Sequence, residues 1–346
     1  MRHCPTVRIH RRAFAVGGLA SVLALPAFAQ AVPLRVRYQC DWRFEAGTIP
    51  YVVALKKGYF AQEGLDVVLN VGAAATVTRL ATGNVDMGTG DMSSLAEFAA
   101  NNAQVPAKAV MLMYESTPAA VFSLRKTGIR SPADLRGRQL AAPVNDGARR
   151  IFPLFAAANG LDPATDVRWT SVEPAIRETM LARGQVEVIT GYMASGWVSL
   201  QKLGVAPDQI DVMKYADHGV SLPGNAVLAG SAFLREQPQA VAAFLRAVAR
   251  AVKDAAADRP GAVALLKAFE PLTDVKTETM RLDVALDGEI ATPTVRRDGL
   301  GGIDVARYQA GIDALALALA FKRVPEAASL VDTRFLPTRA QRMVFA

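Results

Sequence analysis

Four short stretches of the chain concentrate side chains that can hold a small molecule without reacting with it. "DWRFEAG" (41–47) supplies Asp41, Trp42, Arg43, Phe44 and Glu45, and "GDMSS" (90–94) supplies Gly90 and Asp91. "VNDGARR" (144–150) supplies Asn145, Asp146 and Arg149, and "GYMASGW" (191–197) supplies Tyr192 and Trp197. Asn225, in "GNAVLAGSAF" (224–233), joins them. Carboxylates and amides exchange hydrogen bonds, arginines and helix N-termini seat anions, and aromatic rings make flat apolar walls. Each residue also has a plainer role. Asp91 and Asp146 suit helix caps, Arg43 and Arg149 suit a solvated surface, and Trp42 and Trp197 suit hinge or core packing. The concentration of such residues in four loops is what points to a ligand.

Reactive constellations are absent from the same sequence. Beyond residue 29 the chain has one histidine, His218, and one cysteine, Cys40, which excludes a multi-histidine metal site and an internal disulfide. Asp217 and Ser221 lie near His218, but nearness in sequence is not triad geometry. No Gly-x-Ser-x-Gly or P-loop occurs, and "GLGGID" (299–304) follows "RRD" in place of a strand. The residues therefore predict no enzyme, no metal and no cofactor.

A repeat shows which elements must position the four loops. "GNVDMGTGDM" (83–92) returns as "GQVEVITGYM" (184–193), and Asp66-Val67 matches Asp166-Val167. Each half reads as an apolar strand, a helix, a second strand ending in Gly-x, and a loop. "VVLNV" and "VRWTSV" have the short β-branched character of strands covered on both faces. "EPAIRETMLARG" predicts a helix capped at Glu173, with Pro174 in its first position, Ile176, Met180 and Leu181 on one face, and a stop at Gly184. Earlier in each half, "LRVRYQCDW" and "RQLAAPV" read as strands. They are followed by helices over "TIPYVVALKKGYF", capped at Thr48, and "ARRIFPLFAAANG", where Pro153 demands a start near Arg149 or Arg150. Such alternation gives right-handed crossovers and two α/β lobes, each a mostly parallel sheet flanked by helices. Ligands of such sheets bind beyond the carboxyl ends of the strands, where the four loops lie.

The expected boundaries are an export signal at 1–29, lobe one at 30–122 and 226–346, and lobe two at 123–225. The signal reading rests on "MRHCPTVRIHRR", an apolar run, and Ala27-Phe28-Ala29. Arg11-Arg12-Ala13-Phe14 suits a twin-arginine route, and a general secretory route fits equally. Residues 1–29 hold four arginines and no acid, so their removal lowers the net charge from +7 to +3. That is too little for a nucleic-acid partner. No later apolar run is long enough to span a bilayer.

"DWRFEAGTIPYVVALKKGYFAQEGLDVVL", "LATGNVDMGTGDMSSL", "SPADLRGRQLAAP" and "NAVLAGSAFLREQPQAVAAFLRA" resemble segments of one family. It is the periplasmic substrate-binding proteins of ABC transporters that bind nitrate, taurine, alkanesulfonates and thiamine pyrimidines. The resemblance covers residues 34–320 and implies a type II two-lobed fold that closes about a hinge. It further implies a monomer that delivers a small solute to a membrane permease. The first loop has Arg43-Phe44-Glu45-Ala46 where the pyrimidine binders carry Pro-Asn and a histidine. "VNDGARR" lacks the Ser/Thr-rich turn common where sulfonate or nitrate binds. The solute class is therefore open, with the acidic and aromatic loops favouring an N-heterocyclic or aromatic one. Two alternatives share the fold: a sensor partner of a receptor, and a pyridoxal-phosphate-dependent synthase of pyrimidine precursors using Lys56 or Lys57.

Overall fold

The computed structural model describes residues 32–72, 76–102 and 104–345, besides Met1. The residues read as an export signal lie outside these. Among the described residues ten strands form two five-stranded sheets. They are β1 (Leu34–Gln39), β2 (Leu65–Asn70), β3 (Met87–Asp91), β4 (Ala107–Leu112), β5 (Ala119–Leu124), β6 (Arg138–Ala142), β7 (Val167–Ser171), β8 (Val188–Tyr192), β9 (Ile210–Lys214) and β10 (Asn225–Gly230). The first sheet has the order β2-β1-β3-β10-β4, and the second β7-β6-β8-β5-β9. The two orders are equivalent position by position, which gives the repeat its structural meaning.

In each sheet one strand runs against the others. β10 pairs antiparallel with β3 and β4, and β5 pairs antiparallel with β8 and β9. Both are the first strand after the chain crosses from the other sheet. β5 lies wholly in the second sheet, so the first crossing precedes Ala119 and not residue 123. The two crossing segments run side by side, with Thr117 N donating to Leu222 O (2.8 Å) and Gly224 N to Tyr114 O (3.0 Å). A paired, short connection of this kind is a hinge geometry.

The first lobe is cored by stacked aromatics. Tyr38 lies 4.7 Å from Tyr51 and 4.8 Å from Phe244, and Phe60 lies 4.9 Å from Phe244, ring centre to ring centre. Phe244 belongs to helix Pro238–Ala257, whose Val241, Phe244, Leu245, Val248 and Val252 recur at three- and four-residue spacing and are fully buried. Each such side chain contributes about 1.5–3 kcal/mol. Arg250 and Lys253 stand outside on the same helix, and Arg246 pairs with Glu63.

Three local expectations change. The helix expected from Pro174 begins at Arg177, because residues 174–176 form a turn, and Ile176 is left exposed. Gly184 does end that element, at φ 70°. The single helix expected over 148–160 is two, Gly147–Arg150 and Phe152–Ala158. Pro153 has no N–H to give, so the helix restarts with Pro153 in its first turn. Finally, the sequence predicts a helix over 276–290, but the chain loses α geometry after Ala285 and finishes as a π-helical turn, Leu286–Ile290.

Candidate functional site

The site grows out of the repeat. β3 and β8 end at Asp91 and Tyr192, the equivalent residues of the two copies, and each is followed at once by a helix, Met92–Asn101 or Met193–Lys202. The two ends face each other, and Tyr192 donates its hydroxyl to Asp91 Oδ2 at 3.3 Å. Between the lobes lies a cavity of about 150 Å³.

Its wall contains Asp41, Trp42, Arg43, Glu45, Gly90, Asp91, Asn145, Asp146, Tyr192 and Asn225, all expected from the loops. Phe44 and Arg149 are not part of it. Phe44 turns into the first lobe and packs edge-on against Phe269 at 4.8 Å. Arg149 curls back along its own lobe, donating to Ala142 O (2.9 Å) and Ser171 Oγ (3.1 Å) and lying over the Trp169 ring. Trp197 packs among the apolar side chains of the second lobe. His218 lies edge-on to Phe155.

The carboxylates are held by local structure first. Asp91 caps helix Met92–Asn101 by accepting from Ser94 N (3.0 Å), and Asp146 caps Gly147–Arg150 by accepting from Arg149 N (3.0 Å). Each keeps its second oxygen for the cavity. Asp146 Oδ2 accepts from Arg177 Nη1 at 2.9 Å, and burial raises both carboxyls above the ordinary range, with Arg177 opposing the rise at Asp146. Asp41 accepts from Asn225 Nδ2. Burial, reinforced by the neighbouring Asp91 and Glu45, pushes its carboxyl up to about 7 against the pull of that amide. Glu45 accepts from Ser195 Oγ of the other lobe at 2.6 Å.

Further wall residues have no counterpart in the loop reading. Thr89 joins Tyr38 (2.8 Å) and Tyr51 (3.0 Å) in a hydroxyl chain along the cavity floor. Tyr114, Arg177, Ser195, Arg281 and Glu289 also line the cavity. Arg177 lies between Asp146 and Glu178, and Arg281 between Glu45 (3.3 Å) and Glu278, so each buried guanidinium is matched by two carboxylates. Arg43 is exposed, 3.5 Å from Glu45 and over the Trp42 ring. Among the described residues, five polar atoms of this wall are buried without a partner: Trp42 Nε1, Thr76 Oγ1, Asn225 Oδ1, Arg281 Nε and Glu289 Oε1. Orphaned polar atoms are costly, and a bound molecule satisfies them at no cost to the fold.

The lobes are closed on one another. Besides Glu45–Ser195 and Asp91–Tyr192, Arg281 Nη2 donates to Ser199 Oγ (2.8 Å), and Arg150 reaches Ser94 (3.2 Å) and Glu97. Among the described residues no lysine lines the cavity: Lys57 pairs with Asp254 at the surface (2.6 Å) and Lys56 lies over Phe269. A pyridoxal-phosphate Schiff base therefore has no lysine here to form on. Cys40 is fully buried and its thiol pushed far up by desolvation, which denies it thiolate chemistry. Among the described residues no group of three or more His, Cys, Asp or Glu is arranged to hold a metal ion. None of the helices is long and apolar enough to cross a membrane, among the same residues.

Comparison with known proteins agrees with the architecture. The model of the NMT1/THI5 like family matches residues 45–262. The riboflavin-binding protein RibY of Chloroflexus aurantiacus is 31% identical over 249 residues, which are 70% of this chain and 67% of that protein. Among solved structures, the alkanesulfonate-binding protein SsuA from Xanthomonas axonopodis pv. citri bound to MOPS gives a TM-score of 0.67 at 17% identity, covering 87% of this chain and 99% of that one. The periplasmic nitrate-binding protein NrtA from Synechocystis PCC 6803 gives 0.59 at 15% identity, covering 88% and 91%. At such identities the structural likeness speaks for the two-lobed fold alone.

Proposed function

We propose that this chain, which belongs to the NMT1/THI5-like family, is the extracytoplasmic solute-binding component of an ABC-type importer, closing about its hinge on a small organic solute. Asp41, Asp91, Asp146, Glu45 and Glu289 line, together with Tyr51, Tyr114, Tyr192 and Trp42, a cavity whose buried arginines are already matched by carboxylates. That pairing is the observation that carries the reading. Such a lining has hydrogen-bond acceptors and flat faces to offer, and its one exposed cation among the described residues, Arg43, lies 3.5 Å from Glu45. It favours a neutral or cationic aromatic ring, N-heterocyclic by preference, over nitrate or a sulfonate.

In the proposed cycle the solute enters between open lobes and meets the groups of β1, β3 and β10 on one side and β6 and β8 on the other. Closure brings Tyr192 to Asp91 and Ser195 to Glu45, and excludes water from the ring faces. The solute shifts the equilibrium only by its preference for the closed form. The closed protein, a monomer in the periplasm, then passes the solute to a permease. The cavity of about 150 Å³ suits a compact ring, since pockets for larger ligands run to about 300–1,000 Å³. Riboflavin, the ligand in the relative's name, requires the lobes to close less far than they do here.

The test is a thermal-shift panel on the chain from Gln30, with pyrimidines and other N-heterocycles, riboflavin, aromatic carboxylates, alkanesulfonates and nitrate. A ligand at a hundredfold its Kd stabilises the native state by about 2.7 kcal/mol, a rise of several degrees. A rise with a ring compound and silence with sulfonate and nitrate is expected. Equal shifts with nitrate, or none with any ring compound, would overturn the proposed solute class.

A further inference from the structure

The repeat that builds the site also places the contacts that join the lobes. Ser94 and Ser195 are equivalent residues of its two copies, each two positions beyond the matched Met92 or Met193 that opens a ten-residue helix. Each is met across the cleft by a charged side chain of the other lobe. Glu45, from the segment after β1, accepts from Ser195 Oγ at 2.6 Å. Arg150, from the segment after the equivalent strand β6, donates through Nη1 to Ser94 Oγ at 3.2 Å. The two links follow one plan with opposite charges. They differ one turn further along the helix. There Glu97 pairs with Arg150 Nη2, so a single guanidinium holds two side chains of one helix face. The Arg150 and Glu97 side chains are 29% and 34% exposed, and neither belongs to the cavity wall. Every other link between the lobes described above has a wall residue at one end or both: Glu45, Ser195, Asp91, Tyr192, Arg281 or Ser94.

We propose that the Arg150–Glu97 ion pair is a latch that sets how much of the protein is closed before any solute arrives. The inference rests on the hinge closure proposed above and names a pair that governs it from outside the solute's reach. Its partners belong to different lobes, so the pair exists only in the closed form. With the lobes apart, each charge returns to water and the attraction is lost. A contact made in one of two states shifts their equilibrium by its own strength, and the apparent affinity for a solute scales with the closed fraction. The contacts of the cavity wall are altered by whatever enters, whereas the latch acts alike on an empty and a filled cavity. A partly exposed ion pair is weak, worth about threefold in the closing equilibrium. That strength favours capture and still lets the lobes part for release.

The experiment is a distance measurement between two spin labels on the chain from Gln30, one on each lobe, at Ala61→Cys and Asp208→Cys. Both positions are exposed, and the buried Cys40 stays unlabelled. No solute is added. The pair-intact chain is compared with Glu97→Gln, Arg150→Gln and both together, and thermal melts confirm that each is folded. Two distances are expected, with the closed-to-open ratio about threefold lower in each single variant and no lower in the double, because the two residues act as one pair. Added salt should bring the pair-intact chain toward the variants. An unchanged ratio in Glu97→Gln, or losses that multiply in the double variant, would overturn the latch and leave hinge motion standing. One distance common to every sample would overturn latch and hinge closure together. The labels report without solute, so failure of the ring-compound panel is a separate result.

Discussion

Gly191→Ala tests the site through a contact that only glycine permits. A Cβ at position 191 would stand 2.8 Å from Cζ, Nη1 and Nη2 of Arg177. That guanidinium is 4% exposed and donates to Asp146 (2.9 Å) and, through Nε, to Glu178 (3.0 Å). If the side chain only shifts, the cost is that of overpacking, about 1–3 kcal/mol. If it leaves Asp146 and Glu178 unpartnered, the cost is about 3–5 kcal/mol. We expect about 3 kcal/mol. At about 2–4 °C per kcal/mol for chains somewhat shorter than this one, the melting temperature falls by roughly 5–10 °C. The equivalent Gly90→Ala is the internal control. Its Cβ would meet Leu228 Cδ1 at 2.5 Å, an apolar branch end whose displacement strands no charge, so about 1–2 kcal/mol is expected. Calorimetric melts of both variants settle the matter. A Gly191→Ala protein melting within about one degree of wild type, or one less damaged than Gly90→Ala, would show that the Arg177 network does not hold the second lobe's wall.

Tyr192→Phe removes the hydroxyl that reaches Asp91 and keeps the ring, so solute affinity should fall about fivefold with the melting temperature little changed; an unchanged affinity would remove that contact from the closure. The pH dependence follows from Asp41 and Glu289, whose carboxyls stand at about 7 and about 8 in the folded protein. Raised carboxyls bind more protons folded than unfolded, so their contribution is complete below about pH 4 and is lost as pH rises through the folded values. Melting temperature should therefore fall between about pH 5 and pH 9, and the slope should flatten in Asp41→Asn and Glu289→Gln. A rising slope would refute the assignment. Saturating ligand should lower the radius of gyration in small-angle scattering, because the closed contacts between Glu45 and Ser195 and between Asp91 and Tyr192 require the lobes to approach.

The sheets and the loops at their carboxyl ends were legible because they depend on local signals: β-branched runs, glycine stops, and acids or amides placed just before helices. Asp41, Asp91, Asp146, Tyr192 and Asn225 all sit at or just beyond a strand end facing the cavity. What stayed hidden depends on distance along the chain. Glu278 reaches the Ala46 N–H across 232 residues, and Arg281 and Glu289 arrive from a stretch that reads only as a helix. The one local hint was Gly288 inside that run, where the α geometry has already given way to the π turn. Arg177 was obscured by Pro174, which suggested a helix start three residues too early. Phe44 and Arg149 carry the same chemistry as their neighbours in the loops. Only the packing of Phe269 and Trp169 decides that they point elsewhere.

The two lobes are alike in strand order but unlike in how they can be assembled. The second sheet draws all five strands from one unbroken stretch, β5 to β9, so it is complete before β10 has been made. The first sheet has a gap between β3 and β4 that only β10 fills, and all six residues of that strand are buried. A chain ending before Asn225 would leave the facing edges of β3 and β4 bare, open to any passing strand. Synthesis runs from the N-terminus, so the lobe that begins first is finished last. The strand that closes the first sheet also brings Asn225 to Asp41. Sealing of the first core and completion of the cavity wall are thus one event.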